Sequence, residues 1–132
     1  MSEENIQAVL SQFELWNDGH PDEWAPYYDP DVVVEAPEGW PEGSVSRGID
    51  AWKQQAERLR DTWEEARIEV DEIRSVGPER VVAQFRYVTV GKGTGLAFET
   101  PMAVAFTFSG GKITRANYFW DMKALQAAGL ST

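Results

Sequence analysis

The stretch GGKITRANYFWD, residues 110–121, sets the expected fold of this chain. Two glycines form a tight turn after the apolar run of residues 98–108, and apolar and polar residues then alternate. A short turn between two such segments predicts a β-hairpin, because strands joined this way run antiparallel. The stretch ends on Asp121, directly after three aromatic residues, 118–120. An acid in this position could be a catalytic base or the cap of a following helix.

The rest of the chain predicts helices gathered in front of a sheet. Apolar residues spaced by three or four indicate helices over residues 2–18, 21–28 and 49–65, and a short helix is expected after Asp121. β-branched runs and alternation indicate five strands, at residues 32–36, between 66 and 77, and at 81–90, 98–108 and 113–120, with a loop over 37–48. This order predicts one α+β domain over residues 1–132 with an antiparallel sheet.

The composition excludes several classes of function. The chain has 132 residues, no cysteine, one histidine and a net charge of −10. Thiol catalysis, disulfides and a cysteine-ligated metal are therefore excluded, and no metal or cofactor is expected. The negative charge repels phosphate backbones and anionic lipid surfaces, so neither nucleic acid nor membrane is an expected partner. The N-terminal residues lack the pattern of a signal peptide, and no apolar run approaches a membrane span, which predicts a soluble, cytoplasmic protein.

Alternation along the strands sorts the side chains onto two faces. It groups Tyr118 and Trp120 on one face of the last strand and Ile113 on the opposite face. We expect the aromatic set to face the helices. The opposite face is then mixed polar and apolar, as in a sheet that meets solvent or a second subunit. A homodimer through this outer face is expected, with Gln84, Arg86, Glu99, Arg115 and Asn117 at the contact.

Three pieces of the sequence resemble the SnoaL-like branch of the nuclear transport factor 2-like superfamily. They are NDGHPDEWAPYYDPDVVVEAP (17–37), GWPEGSVSRGIDAW (39–52) and GGKITRANYFWDMKALQAAGL (110–130). The resemblance implies a cystatin-like α+β cone, in which a curved antiparallel sheet wraps around a long helix and encloses a conical pocket. It also implies homodimers through the outer sheet face.

The same resemblance argues against one known reaction. Steroid-isomerase members of the superfamily carry an aspartate base in a piece that here reads VEAP, and the base position is Ala36. Their two oxyanion donors fall near Gln12 and Val104, which leaves Tyr28 as the one retained member of that network. The superfamily also includes cyclases, epoxide hydrolases and members without a known reaction, so the fold alone does not give the function.

Asp121 and Tyr118 are the candidate catalytic residues. An acid beside aromatic rings can have a raised pKa and act as a base, but an aspartate before a helical run more often caps the helix, and we favour the cap. Glu35 is expected to point outwards, and His20 is expected to be exposed. The glycine-rich GKGTG, residues 91–95, lacks the spacing of a phosphate-binding loop and is interpreted as a hairpin turn.

The aromatic residues predict a pocket for a small, flat, mostly apolar or aromatic molecule, although they could instead fill the core. Trp40 favours the pocket, as a lid over its mouth, although it could also pack at a dimer edge. The expected function is therefore that of a small-molecule-binding protein. The alternative is an isomerase or polyketide-cyclase-like enzyme that acts through Tyr118 or Asp121 on a hydrophobic ring substrate. The expected ligand contacts are Tyr28, Trp40, Trp52, Phe85, Tyr87, Phe98, Met102, Phe106, Tyr118 and Trp120.

Overall fold

The computed structural model describes residues 2–40 and 45–131 and places four helices around one sheet. Each long strand coincides with an alternating stretch of the sequence, and each long helix with a stripe spaced by three or four. The elements are, in order, α1 (Ser2–Asn17), α2 (Pro21–Trp24), a 3-10 turn (Ala25–Tyr27), β1 (Tyr28–Glu35), β2 (Val45–Arg47), α3 (Ile49–Asp61), β3 (Glu65–Val76), β4 (Arg80–Val90), β5 (Ala97–Ser109), β6 (Lys112–Phe119) and α4 (Met122–Ala127).

The six strands form one mixed sheet in the order β2-β1-β6-β5-β4-β3. The α+β class is confirmed. Consecutive strands from β3 to β6 are antiparallel, as their short turns predict, but β1 and β6 pair in parallel. No hairpin joins β1 to β6, so the turn argument that applies to the other pairs does not apply to this one.

The first two strands differ most from the sequence expectation. β1 begins at Tyr28, four residues before the expected start at residue 32, and includes the Asp-Pro-Asp segment of residues 29–31. Its pairing with β6 is irregular between Tyr28 and Val33, so Pro30 lies where no ladder hydrogen bond is required. The expected loop over 37–48 contains β2, which pairs with β1, and residues 41–44 of that loop lie outside the described part of the chain.

Two bulges change which side chains face the helices. An irregularity between Val70 and Glu72 brings Ile73 onto the same face as Val70. Another, in the pairing of β5 with β6, turns Ile113 inwards, where it is fully buried. Strict alternation would place both isoleucines on the outer face. Each bulge adds one residue to its strand, so the alternation is reversed beyond it and both side chains face the helices.

Helices α1 and α3 cover one face of the sheet, the inner face. Phe13 of α1 packs against Phe85 and Phe106, with ring centroids 6.0 and 5.7 Å apart. At the end of α1 the Asn17 side chain donates to the Ile68 carbonyl at 2.9 Å and accepts from the Ile68 amide at 2.7 Å. These bonds fix the end of α1 against β3, and a space remains between α1, α3 and the sheet.

Helix α4 packs on the opposite, outer face. Leu125 is fully buried against Val82, Ala103 and Ala105. Part of the face expected to meet a second subunit is therefore covered by the chain's own C-terminal helix.

None of the helices in the described residues is long and apolar enough to cross a membrane.

Candidate functional site

A cavity of about 240 Å³ lies between α1, α3 and the inner face of the sheet. Every strand contributes at least one side chain to it. Its lining is mainly aromatic and aliphatic, with a few polar groups: Gln12, Phe13, Trp16, Tyr28, Val34, Ala36, Pro37, Trp40, Val45, Ser46, Arg47, Ala51, Trp52, Gln54, Gln55, Arg58, Leu59, Ile68, Phe85, Tyr87, Met102 and Tyr118.

Most of the residues expected to contact a ligand line this cavity, although the contact itself stays a prediction. Several of their rings are in contact. The ring centroids of Trp52 and Tyr118 are 6.2 Å apart, and Tyr118 meets Phe85 edge-on at 6.1 Å. In a separate pair, the rings of Trp16 and Tyr87 are 6.1 Å apart. The expected residues that line the cavity are Tyr28, Trp40, Trp52, Phe85, Tyr87, Met102 and Tyr118.

Three of the expected contacts lie outside the lining. Phe106 is fully buried in the core, where it packs against Tyr118 at 6.3 Å. Phe98 stands near the start of β5, is 51% exposed and packs against Trp63. Alternation identifies the inner face but does not show where along a strand the cavity ends.

Trp120 is the third of these, and it packs against a residue of the cavity wall. It follows the last residue of β6 and is 40% exposed. Its ring packs against Trp40 in a tilted arrangement with the centroids 5.5 Å apart, and its indole N–H donates to the Glu38 carbonyl at 2.7 Å. Trp40 itself lines the cavity, so Trp120 holds the loop that carries a cavity residue.

Gln12 is a buried polar residue of the cavity that sequence reasoning did not select. The Tyr28 hydroxyl donates to Gln12 Oε1 at 2.8 Å. The Gln12 amide nitrogen is buried and has no hydrogen-bond partner among the described residues. A signal was present, because Gln12 stands at a stripe position of α1 between Val9 and Trp16.

Burial keeps two of the cavity tyrosines neutral. Burial raises the pKa of Tyr118 well above its ordinary value. The pKa of Tyr28 is raised too, first by burial and then by the nearby Tyr118, while the Trp52 N–H acts in the opposite direction. Both phenols therefore remain protonated at neutral pH and are available as hydrogen-bond donors.

The acidic candidates do not line the cavity. Asp121 caps α4, since its Oδ1 accepts a hydrogen bond from the Ala124 amide at 2.8 Å, which confirms the favoured interpretation. Glu35 forms an ion pair with Arg115 on the outer face. His20 is exposed beside Glu23. No aspartate, glutamate or histidine is among the described residues that line the cavity.

The GKGTG segment is a hairpin turn between β4 and β5, as expected. The Gly91 amide donates to the Leu96 carbonyl at 2.9 Å, and the Gly95 amide donates to the Gly91 carbonyl at 3.2 Å.

The outer face carries paired charges. Arg86 bridges Asp71 at 3.1 Å, Glu69 at 3.2 Å and Glu99 at 2.6 Å. Arg86 is thus satisfied within the chain, as Arg115 is by Glu35. Whether a second copy meets this face stays a prediction.

Solved structures of low sequence identity share this fold. TerC, co-crystallised with polyporic acid, is 22% identical, with a TM-score of 0.79 over 94% of this chain and 96% of that one. An epoxide hydrolase from M. tuberculosis of the LEH-like type is 19% identical, with a TM-score of 0.75 over 98% and 90%. A Catenulispora acidiphila protein with a ketosteroid isomerase-like fold, in complex with trimethylamine, is 18% identical, with a TM-score of 0.75 over 94% and 91%.

The family comparison is more specific than the structural ones. No curated protein matches the chain. The profile of the SnoaL-like domain matches residues 9–116, which include all of the described cavity lining except Tyr118. The chain therefore belongs to the SnoaL-like domain family.

Proposed function

We propose that this SnoaL-like protein binds a small, flat, mostly apolar molecule in its aromatic-lined cavity. The observation that carries the proposal is the unfilled volume of the cavity. The rings do not fill the interior, and about 240 Å³ remains between them. This is somewhat below the roughly 300–1,000 Å³ typical of sites for drug-sized ligands, which favours a compound of two or three fused rings. The crystallisation of TerC, a protein of similar fold, with polyporic acid supports a ring compound.

The polar groups of the cavity support a ligand with a defined orientation. Tyr28 and Gln12 bond each other, which leaves the Gln12 amide nitrogen as a buried donor without a partner in the described chain. A buried donor left unsatisfied costs about 1–3 kcal/mol, so an acceptor oxygen on a ligand would be stabilised there. Tyr118 supplies a neutral hydroxyl to the same cavity.

A cavity-filling variant tests the proposal. Ala51→Trp places an indole in the lining, whereas Ala124→Trp places one on the exposed side of α4. With the neutral probe 9-fluorenone, we expect binding by isothermal titration calorimetry and a raised melting temperature for the unaltered protein and for Ala124→Trp. Ala51→Trp should lose both signals.

The proposal is wrong if the unaltered protein binds none of 9-fluorenone, 2-naphthol and 2-tetralone. It is also wrong if Ala51→Trp, shown by circular dichroism to be folded, binds them as well as Ala124→Trp does.

A second candidate function is an isomerase-like or cyclase-like enzyme that acts through Tyr118. The observation in its favour is a buried phenol in the cavity wall that stays protonated and can donate to a substrate oxygen. Asp121, the other candidate, is engaged as the cap of α4. The binding protein is favoured, because the described lining contains no carboxylate or histidine that could serve as a base.

A further inference from the structure

Two buried nitrogen atoms of cavity-lining side chains lack a hydrogen-bond partner among the described residues. They are Nε2 of Gln12 and the indole Nε1 of Trp52. The Gln12 side chain belongs to a residue that is 1% exposed, and Trp52 is 8% exposed, so bulk water does not satisfy either group. The nitrogen of an amide and the N–H of an indole donate hydrogen bonds and do not accept them. Any group that satisfies either atom must therefore supply an acceptor.

The two donors come from different helices and act on the same phenol. The Tyr28 hydroxyl donates to Gln12 Oε1 at 2.8 Å, which engages the oxygen of that amide and leaves its nitrogen. The Trp52 N–H opposes the rise that burial causes in the pKa of Tyr28, so it too lies near the phenol. Gln12 is in α1, Trp52 in α3 and Tyr28 at the start of β1, and all three line the cavity. The donors therefore form one polar region in a mainly apolar lining.

The packing around Trp52 does not account for its N–H group. The Trp52 ring lies 6.2 Å from Tyr118 and 6.2 Å from Trp24, contacts that an aromatic ring without a donor could also make. Buried polar groups in proteins nearly always have a partner, so each exception requires an explanation. Two such exceptions beside the same unfilled volume are explained by a ligand that supplies the missing acceptor.

We propose that Gln12 and Trp52 select a ring compound with a ketone or quinone carbonyl, whose oxygen accepts hydrogen bonds from both N–H groups. The inference rests on the proposed function, since it requires the ring body to occupy the cavity. A carbonyl oxygen has two lone pairs and can accept from both donors, whereas a hydrocarbon leaves both unsatisfied. Sites that hydrogen-bond a ligand group discriminate strongly against the analogue that lacks it, for this reason.

Probes matched in shape test the preference. 9-Fluorenone and fluorene have the same ring system, but only the first carries a carbonyl, and 2-tetralone and tetralin form a smaller pair. The hydrocarbons are the more apolar compounds, so a cavity without donors would favour them. By calorimetry with the protein as titrant, because the probes are sparingly soluble, we expect the ketone to bind about tenfold more tightly than its hydrocarbon.

The carbonyl stretching band of bound 9-fluorenone reports on the hydrogen bonds directly. A donor to the oxygen weakens the C=O bond and lowers the frequency of the band. By infrared difference spectroscopy, we expect the band of the bound ketone to lie at lower wavenumber than in a hydrocarbon solvent. A variant that loses a donor should move the band back towards the solvent position.

Variants assign the preference to the two donors. Trp52→Phe keeps an aromatic ring and removes the N–H, so it should reduce the preference for the ketone by about threefold or more. The double variant Gln12→Leu/Tyr28→Phe removes the amide together with the hydroxyl that would lose its acceptor, and it should have a similar effect. Trp63→Phe removes an indole outside the cavity lining, where it packs against Phe98, and should keep both the preference and the band position.

The outcomes separate this inference from the proposed function. If neither ketone binds more tightly than its hydrocarbon, or if both donor variants keep the preference and the band position, the role of Gln12 and Trp52 is overturned while binding in the cavity stands. If none of these probes binds and 2-naphthol does not bind either, the proposed function fails and this inference fails with it.

Discussion

Tyr118 is the residue on which the choice between a binding protein and an enzyme depends. Its phenol lines the cavity, and burial raises its pKa, so it is a donor and not a base at neutral pH. If the chain is an enzyme, we expect it to accelerate exchange of the α-protons of 2-tetralone with deuterated solvent, measured by NMR. Tyr118→Phe should slow that exchange by about 10²-fold or more, since a positioned acid or base typically contributes about 10²–10⁴-fold.

The raised pKa of Tyr118 determines how the rate of this exchange should depend on pH. A raised pKa keeps the phenol protonated through the range in which a free tyrosine, with a pKa near 10, begins to ionise. A contribution from Tyr118 as donor should therefore persist above pH 10. Tyr27, which does not line the cavity, provides a matched control in Tyr27→Phe, and that variant should be indistinguishable from the unaltered protein. Exchange at the uncatalysed rate by the unaltered protein would exclude this reaction and favour the binding protein.

At the residue scale, the sequence predicted the rings of the site better than its polar groups. Tyr118 and Phe85 fall on the inner face by simple alternation, and the structure places both in the lining. Gln12 and Arg58 were not selected. Each is an ordinary polar residue in its own segment, and its significance arises from the space next to it, which is formed by elements distant in sequence.

At the element scale, the cap of α4 is the testable feature. Asp121 accepts from the Ala124 amide, and α4 then buries Leu125 on the outer face. We expect Asp121→Ala to lower the free energy of unfolding by about 1 kcal/mol in urea denaturation, whereas Asp121→Asn should stay close to the unaltered value because asparagine is an equally good cap. Equal stability of the alanine variant and the unaltered protein would contradict the structural role.

Helices and strands could be predicted where a periodic hydrophobic pattern extends over many consecutive residues. The strand expected at 81–90 is Arg80–Val90, and the strand expected at 98–108 is Ala97–Ser109. β2 has three residues in a polar loop and carries no alternation to detect. α3 ends at Asp61, four residues early, because the chain turns there to pair with β4, where the Glu64 amide donates to the Val90 carbonyl at 2.8 Å. Such pairing is non-local, and a sequence window does not contain it.

At the scale of the whole molecule, the open question is whether two copies associate through the outer face. α4 covers one part of this face, and the remaining part contains Gln84, Asn117 and the ion-paired Arg86 and Arg115. The side-chain oxygen of Asn117, Oδ1, is buried without a hydrogen-bond partner among the described residues. We propose an isologous homodimer through this remaining part of the face.

Sedimentation velocity of a charge variant tests the dimer. Because a two-fold interface contains every substitution twice, Gln84→Arg buries two new charges in it and should weaken association by about tenfold or more through their desolvation. We expect the unaltered protein to sediment as a dimer at about 10 µM and the variant to shift towards monomer. Gln126→Arg adds the same charge on the exposed side of α4 and should remain dimeric. A monomeric unaltered protein at that concentration would contradict the proposal and would leave the cavity as a site within a single chain.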